Sequence, residues 1–348
     1  MRSSPSIGPT SALARQLGLS RWTISRVLNG HPEVKPETSR RVWEAIESFG
    51  LVPSPLGRAL RGSRTGMIGV VFQSIGLPII SKKIATLQRV LREAGFRALQ
   101  ELTDGNPHLE LKVIRHFLAL RVDGLVLVGG IGARNAQTII SLLQERRTPV
   151  VMIDPLEPSP LPTVELDRKA AIRIVFEHLH CLNHRRFAML GIDSGVPWGS
   201  IRVETLQGLF REHGLDWDGD MCALSNPGAK ELGFAYGNEL ADRFLLVAPR
   251  PTAIIAINDQ VAIGVMLRLQ EKGVSVPQEV SIVGFDNLDV SAHIRPPLTS
   301  VDQHIEEIMQ SAVALLVRQP GDHSPAEPAF CQVHPVLIKR DSTGAAAA

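Results

Sequence analysis

The chain has 348 residues, 44% hydrophobic and 21% charged, which excludes disorder as the default state and gives enough length for two or three compact units. The formal charge of +2 is unevenly spread: residues 1–65 hold ten Lys/Arg against four Asp/Glu, and the remainder 27 against 31. A basic end before a mildly acidic body points to a unit that meets a polyanion. The three scattered cysteines, Cys181, Cys222 and Cys331, form no CxxC pair or even framework and fit a reducing cytoplasm.

The start, "MRSSPSIGPTSALARQLG", lacks the apolar core of a signal peptide, and no run reaches the roughly 18 apolar residues of a spanning helix. A cytoplasmic protein without membrane contact is expected. Leu13, Ala14 and Leu17 mark a short helix ending at Gly18. A second helix has Ser20 as N-cap and Gly30 as stop; Ile24, Val27 and Leu28 share one face, while Trp22, Ser25, Arg26 and Asn29 share the other, with Arg21 on the shoulder. Two short helices around a tight glycine turn predict a helix-turn-helix, closed by a third helix from Pro36 through Val42, Ala45, Ile46 and Phe49. This pattern alone leaves a plain packing module and a nucleic-acid reader equally open. In "VPSPLGRALRGSRTG", Pro53 and Pro55 stop the third helix, and Leu56 and Leu60 stand four apart among Arg58, Arg61 and Arg64. So short a segment is not helical alone in water, so any helix there is induced by a partner.

From Gly66 onward β-rich runs alternate with helical stretches: "MIGVVF", helix 79–94, "RALQEL", helix 107–120, "GLVLVG", helix 134–146, "PVVMID", then "FAMLGI", helices 201–213 and near 231–246, "AIIAIN", helix 259–272 and "VSIVGFD". Such alternation predicts an α/β fold of parallel sheets covered on both sides. His178, His180, Cys181 and His184 are a weak zinc pattern, with His180 and His184 read on one helix face, and "GGIGARN" is a partial phosphate loop lacking its third glycine. GxSxG, HExxH and Walker sequences are absent, so neither an enzyme nor a cofactor is implied.

The stretch from "LGLSRWTISRVLNGHPEVKPETSRRVWEAIESFG" through "LVPSPLGRALRGSRTGMIGVV" resembles the lactose-repressor (LacI/GalR) family of bacterial transcription regulators. The likeness continues in order through "RVDGLVLVGG", "HLHCLNHRRFAMLG", "NDQVAIG", "VPQEVSIVGFDN" and "PPLTSVDQ". It implies a helix-turn-helix domain over residues 1–51, a hinge over 52–65, a two-lobed core like periplasmic sugar-binding proteins over 66–342, and a tail over 343–348. It also implies a homodimer on a near-palindromic double-stranded DNA operator, controlled by a small-molecule effector, a sugar or related metabolite. Base reading would fall to Arg21, Trp22 and Arg26, with arginine suited to guanine O6 and N7 and Trp22 to thymine methyls or a sugar. Ser20, Thr23, Ser25 and Asn29 would seat the helix on the backbone. Leu60, with Leu56 and Arg58, would form a minor-groove wedge, in a hinge helix weakened by Gly57.

Effector contacts are implied at Asp154, Asn258, Asp286 and Gln303. Asp and Asn after strands also cap helices, a reading that suits Asp259 better than Asp286. The family's effector arginine is replaced by Thr205, with Arg202 one turn earlier, and Phe234 or Tyr236 would be displaced substitutes for its stacking aromatic. These departures leave open a non-sugar effector or a regulator with none. A sugar-binding protein without a regulatory role conflicts with residues 1–62. The tail lacks the heptads of a tetramerising coiled coil.

Overall fold

The structure, a computed structural model, describes residues 9–28, 33–48, 64–73, 76–132, 134–155, 159–195, 197–226, 229, 231–318 and 330–346. Asn29, Gly30, Phe49, Leu56, Gly57, Arg58 and Leu60 lie outside them.

The amino-terminal unit contains α1 (Pro9–Leu17), α2 (Arg21–Leu28) and α3 (Pro36–Ser48). Gly18, at φ 65, takes the left-handed conformation that ends α1. Two residues later the Ser20 hydroxyl accepts from the Thr23 amide at 2.9 Å and caps α2. Leu13, Ala14, Ile24, Val27, Val42 and Ile46 close a small separate core, so the amphipathic spacing of the sequence sets the packing.

Beyond Thr65 the chain runs β1 (Met67–Phe72), α4 (Pro78–Glu93), β2 (Arg97–Leu102), α5 (Pro107–Ala119), β3 (Gly124–Val128), α6 (Ala136–Arg146), β4 (Val150–Ile153) and β5 (Thr163–Leu166). There follow α7 (Arg168–Cys181), β6 (Phe187–Leu190), α8 (Pro197–Glu212), α9 (Trp217–Asp220), β7 (Met221–Leu224), α10 (Phe234–Phe244), β8 (Ala253–Ala256), α11 (Asp259–Glu271) and β9 (Ser281–Phe285). The last elements are β10 (Thr299–Asp302), α12 (Ile305–Val317), β11 (Phe330–Val333) and β12 (Val336–Ile338). The predicted helices are present, although α8 starts at Pro197, four residues before its predicted start. Helix α7, read from the sequence only around His180 and His184, carries its fuller signal in Ala171, Ile172, Val175, Phe176 and Leu179, all buried at helical spacing. Four-residue strands such as β5 and β10 show too little alternation to be read from sequence.

Two six-stranded sheets result, ordered β11-β5-β4-β3-β1-β2 and β12-β10-β9-β8-β6-β7. Every pairing is parallel except the one between β10 and β12. The chain passes between the sheets three times, after β5, β10 and β11. Strands such as GLVLV, AIIA and SIVGF are buried throughout, as parallel strands covered on both faces must be. The end of the chain is also seated: the Gly344 amide donates to Ser281 Oγ at 3.0 Å and the Ala346 amide to the Leu182 carbonyl at 2.8 Å. Among the described residues no helix is long and apolar enough to cross a membrane.

Helices α10 and α11 touch backbone to backbone, because a Cβ on Gly264 would lie 2.3 Å from the Phe234 carbonyl oxygen and one on Gly237 2.4 Å from that of Val261. Gly264→Ala is therefore expected to destabilise the protein by about 1–3 kcal/mol. Gly208→Ala, where an added Cβ meets nothing within 4 Å in α8, is expected to stabilise it by about 0.5–1 kcal/mol. Thermal and urea unfolding of the two variants checks both signs.

Candidate functional site

A cavity of about 360 Å³ lies between the lobes, at the carboxyl ends of the strands. The first lobe supplies Phe72, Gln73, Lys83, Val128, Gly129 and Asp154, and the second Arg202, Leu232, Ile257, Asn258 and Asp286. Leu166 lines it from the end of β5, and Arg168 and Gln303 line it from two of the crossovers. All five positions expected from the sequence, Asp154, Arg202, Asn258, Asp286 and Gln303, thus face one space.

Asp154 follows β4 with φ 48, a conformation rare for side-chain-bearing residues. Its Oδ2 accepts from Lys83 Nζ at 2.5 Å, and its Oδ1 from Arg168 at 3.1 Å and from the Leu166 amide at 3.0 Å. Burial alone would raise the pKa of this carboxyl, but Lys83 and Arg168 hold it well below the usual carboxylate range. Neither basic residue figures in the sequence reading. Lys83 has a visible signal, since it stands with Ile79 and Leu87 in the four-residue rhythm of the buried face of α4.

Asp286 follows β9 at φ 114, a strained value for a non-glycine residue. Gln303 Nε2 donates to its Oδ1 at 2.6 Å. Burial first and the nearby Asp259 second push its pKa up to about 8, against the pull of Lys83, Arg202 and the Gln303 amide.

Asn258 corrects one expectation. It is Asn258, not Asp259, that caps α11, with Oδ1 accepting from the Val261 amide at 2.8 Å and Nδ2 donating to the Leu232 carbonyl at 2.9 Å. Asp259 lies one residue inside the helix, fully buried, and accepts from the Leu288 amide at 2.7 Å, Ser291 Oγ at 2.6 Å and Ser300 Oγ at 2.5 Å. Its carboxylate ties α11 to the segments after β9 and to β10.

The departure at Thr205 is resolved by one turn of helix. Thr205 Oγ1 donates to the Ile201 carbonyl at 2.6 Å, within its own helix, whereas Arg202 reaches the cavity. The Arg202 guanidinium donates to the Ile257 carbonyl at 3.1 Å and lies 4.2 Å over the Phe285 ring. Burial lowers its pKa to about 10, which leaves it charged at neutral pH. Neither aromatic substitute lines the cavity. Tyr236 is buried with Oη accepting from the Asn226 amide at 2.7 Å, and Phe234 borders a separate groove with Pro78 and Leu288. Leu232 is what that segment contributes.

The weaker motifs have structural occupations. In "GGIGARN" the Gly132 amide and Asn135 Nδ2 both donate to Glu110, at 3.0 and 2.9 Å, so an internal carboxylate occupies the loop. His184 does not share a helix face with His180, because α7 ends at Cys181. It bonds instead to Thr252 and Ser281 at 2.9 Å each. Among the described residues no group of three or more His, Cys, Asp and Glu could hold a metal ion.

On α2, Arg21 is exposed and Trp22 is 67% exposed, an unusual position for so large an apolar ring. Arg26 is less outward than its helical angle predicts. Its guanidinium lies 4.4 Å over the Trp22 ring and is ion-paired with Glu33, which leaves the side chain 19% exposed. Ser20 and Thr23 bond to one another at 2.9 Å, and Ser25 is half-buried.

Comparisons with known proteins match two parts of the chain to family models and most of it to single relatives. Residues 12–54 match the family described as "Bacterial regulatory proteins, lacI family", and residues 176–343 match a "Periplasmic binding protein-like domain". The chain is 27% identical over 317 residues to catabolite control protein A of Staphylococcus xylosus, covering 91% of this chain and 93% of that protein. It is 26% identical over 340 residues to the HTH-type transcriptional repressor PurR of Aliivibrio salmonicida, covering 95% and 97%. A lac repressor dimer bound to operator and an anti-inducer superposes with a TM-score of 0.82 at 22% identity over 96% of this chain and 98% of that one, a likeness of fold. The transcriptional regulator CelR in complex with cellobiose superposes at 0.67 with 25% identity over 97% and 100%.

The raised pKa of Asp286 has a consequence for stability. Unfolded, this carboxyl titrates near 3.8; folded, near 8; so the native chain holds one more proton between those values. Its contribution to stability is complete below about pH 4 and is lost progressively as the pH rises to about 8. Melting temperatures of wild type and Asp286→Asn from pH 5 to 9 should diverge, with the wild type losing more. Parallel curves would show that Asp286 ionises normally.

Proposed function

Because this chain belongs to the LacI family of bacterial regulatory proteins and is a DNA-binding transcriptional regulator, we propose that it binds a near-palindromic operator as a homodimer and is switched by a small polyhydroxylated metabolite held between its lobes. The single observation that supports the switch most is that Asp154, Arg202, Asn258, Asp286 and Gln303, spread over 150 residues of sequence, line one cavity. Ligand there touches both lobes and two crossovers, so its affinity differs between lobe arrangements, which is the requirement for shifting an equilibrium. The relatives are transcriptional regulators, and no reaction is proposed for this cavity.

Operator reading is assigned to Arg21, Trp22 and Arg26, with Ser20, Thr23, Ser25 and Asn29 on the backbone. Leu56, Arg58 and Leu60 carry the minor-groove part of the proposal on the resemblance alone. A regulator that needs no effector is the second reading, motivated by Thr205. The placement of Arg202 in the cavity favours the first.

Arg26→Ala is expected to cost about 1–3 kcal/mol on the best operator and much less on random DNA. Trp22→Ala should weaken operator binding while changing stability by less than about 0.5 kcal/mol, since the ring is solvent-exposed. Fluorescence anisotropy with both DNAs and thermal unfolding check the pair; equal losses on the two DNAs would remove the reading role. For the switch, a thermal-shift screen of sugars followed by operator titration should give a compound that changes operator affinity about 5- to 150-fold in wild type and not in Gln303→Ala.

A further inference from the structure

Hydrogen-bond donors outnumber acceptors in the cavity. Three basic side chains line it, Lys83, Arg168 and Arg202, with side-chain or residue exposures of only 7%, 16% and 7%. Among the described residues two carboxylates face them, so one positive charge is in excess there even with both ionised. Because burial and the nearby Asp259 raise the Asp286 pKa to about 8, against the Gln303 hydrogen bond, the excess at neutral pH is larger.

The hydrogen bonds already made sharpen this imbalance. Asp154 accepts from Lys83, Arg168 and the Leu166 amide, which fills most of the roughly four lone-pair positions of a carboxylate. Lys83 has three N–H groups and Arg168 five, and Asp154 engages one of each. Asn258 has its oxygen on the Val261 amide and its nitrogen on the Leu232 carbonyl. A neutral polyol needs acceptors as well as donors, and the side-chain acceptors left for it, the second Asp286 oxygen and the amide oxygens of Gln73 and Gln303, are fewer than the N–H groups of Lys83 and Arg168 not engaged by Asp154. An anionic group needs donors alone and a positive field, and it relieves the cost of keeping several buried cations close together.

We propose that the ligand of this cavity carries an anionic group, a carboxylate or a phosphate, seated against Lys83, Arg168 and Arg202. This inference rests on the reading of the cavity as the effector site and specifies the class of effector. The remaining wall, with Phe72, Val128 and Ile257, is apolar and suits a small carbon skeleton.

The test uses the full-length protein and matched pairs at constant ionic strength: glucose with gluconate and glucose 6-phosphate, ribose with ribose 5-phosphate, and inorganic phosphate against chloride. Thermal shift and calorimetry should show at least one acid binding tenfold or more tighter than its neutral counterpart, and the gluconate and phosphate arms separate the two anions. Lys83→Gln and Arg168→Gln should each weaken that acid about tenfold, as expected for a lost charge-assisted hydrogen bond, and Lys83→Arg should retain it. If Lys83→Gln does not fold, the less buried Arg168→Gln carries the same comparison. The inference is overturned if no acid stabilises the wild type beyond its neutral partner, or if both glutamine variants bind the acid as wild type does. A neutral sugar that binds and shifts operator affinity would sink the anion and leave the switch intact. An acid that binds without moving operator affinity would do the reverse.

Discussion

Strands apolar on both faces impose the constraint from which the site follows. With β3, β8 and β9 buried along their whole length and free of charged residues, a charged side chain next to them appears only where the strand stops. Asp154 and Asp286 stand at such stops, and both adopt left-handed backbone values that turn the chain sharply out of the sheet. Two lobes with their strand ends facing each other therefore concentrate polar chemistry in one gap. The charge in that gap is held in shape by a few short bonds, above all those of Asp154 with Lys83 and Arg168. Removing the carboxylate would leave two buried cations side by side without their counter-charge, a costly change.

Much of this was legible because it is local. Apolar runs mark strands and Asp154 and Asp286 directly follow such runs, but it was the family resemblance that singled them out as effector contacts. Helical spacing likewise identified Ile24 and Val27 as core and Trp22 as exposed. The failures share a physical origin in long side chains whose partners are distant in sequence. Lys83 enters the cavity from α4 and Arg168 from the start of α7, both unforeseen, and Arg26 folds back onto Trp22 and Glu33 instead of pointing to solvent. Periodicity gives the direction of a Cβ, and a guanidinium several bonds further out is directed by charge. The confusion of Asn258 with Asp259 is of another kind. Both are reasonable caps, and only the depth of Asp259 and its two serine partners show that it serves as an internal tie.

The charge asymmetry of the sequence also gains a structural sense. Basic residues of the first 65 positions belong to a unit with its own small core, while the acidic balance of the body coexists with a locally basic cavity. Net charge thus describes the protein to a polyanion approaching from afar, and the arrangement within a few ångströms describes it to a small ligand.

Three strand-to-strand passages join the lobes, but they are not equivalent. Those after β5 and β10 place Arg168 and Gln303 on the cavity wall, whereas no described residue of the one after β11 lines it. With three passages as the pins of one joint, a ligand in the cavity would grip two and leave the third untouched, unlike a plain hinge. The angle between lobes would then be set by how deeply the two gripped pins are drawn inward, so ligands of different size in the same pocket would produce graded angles and, through them, graded control.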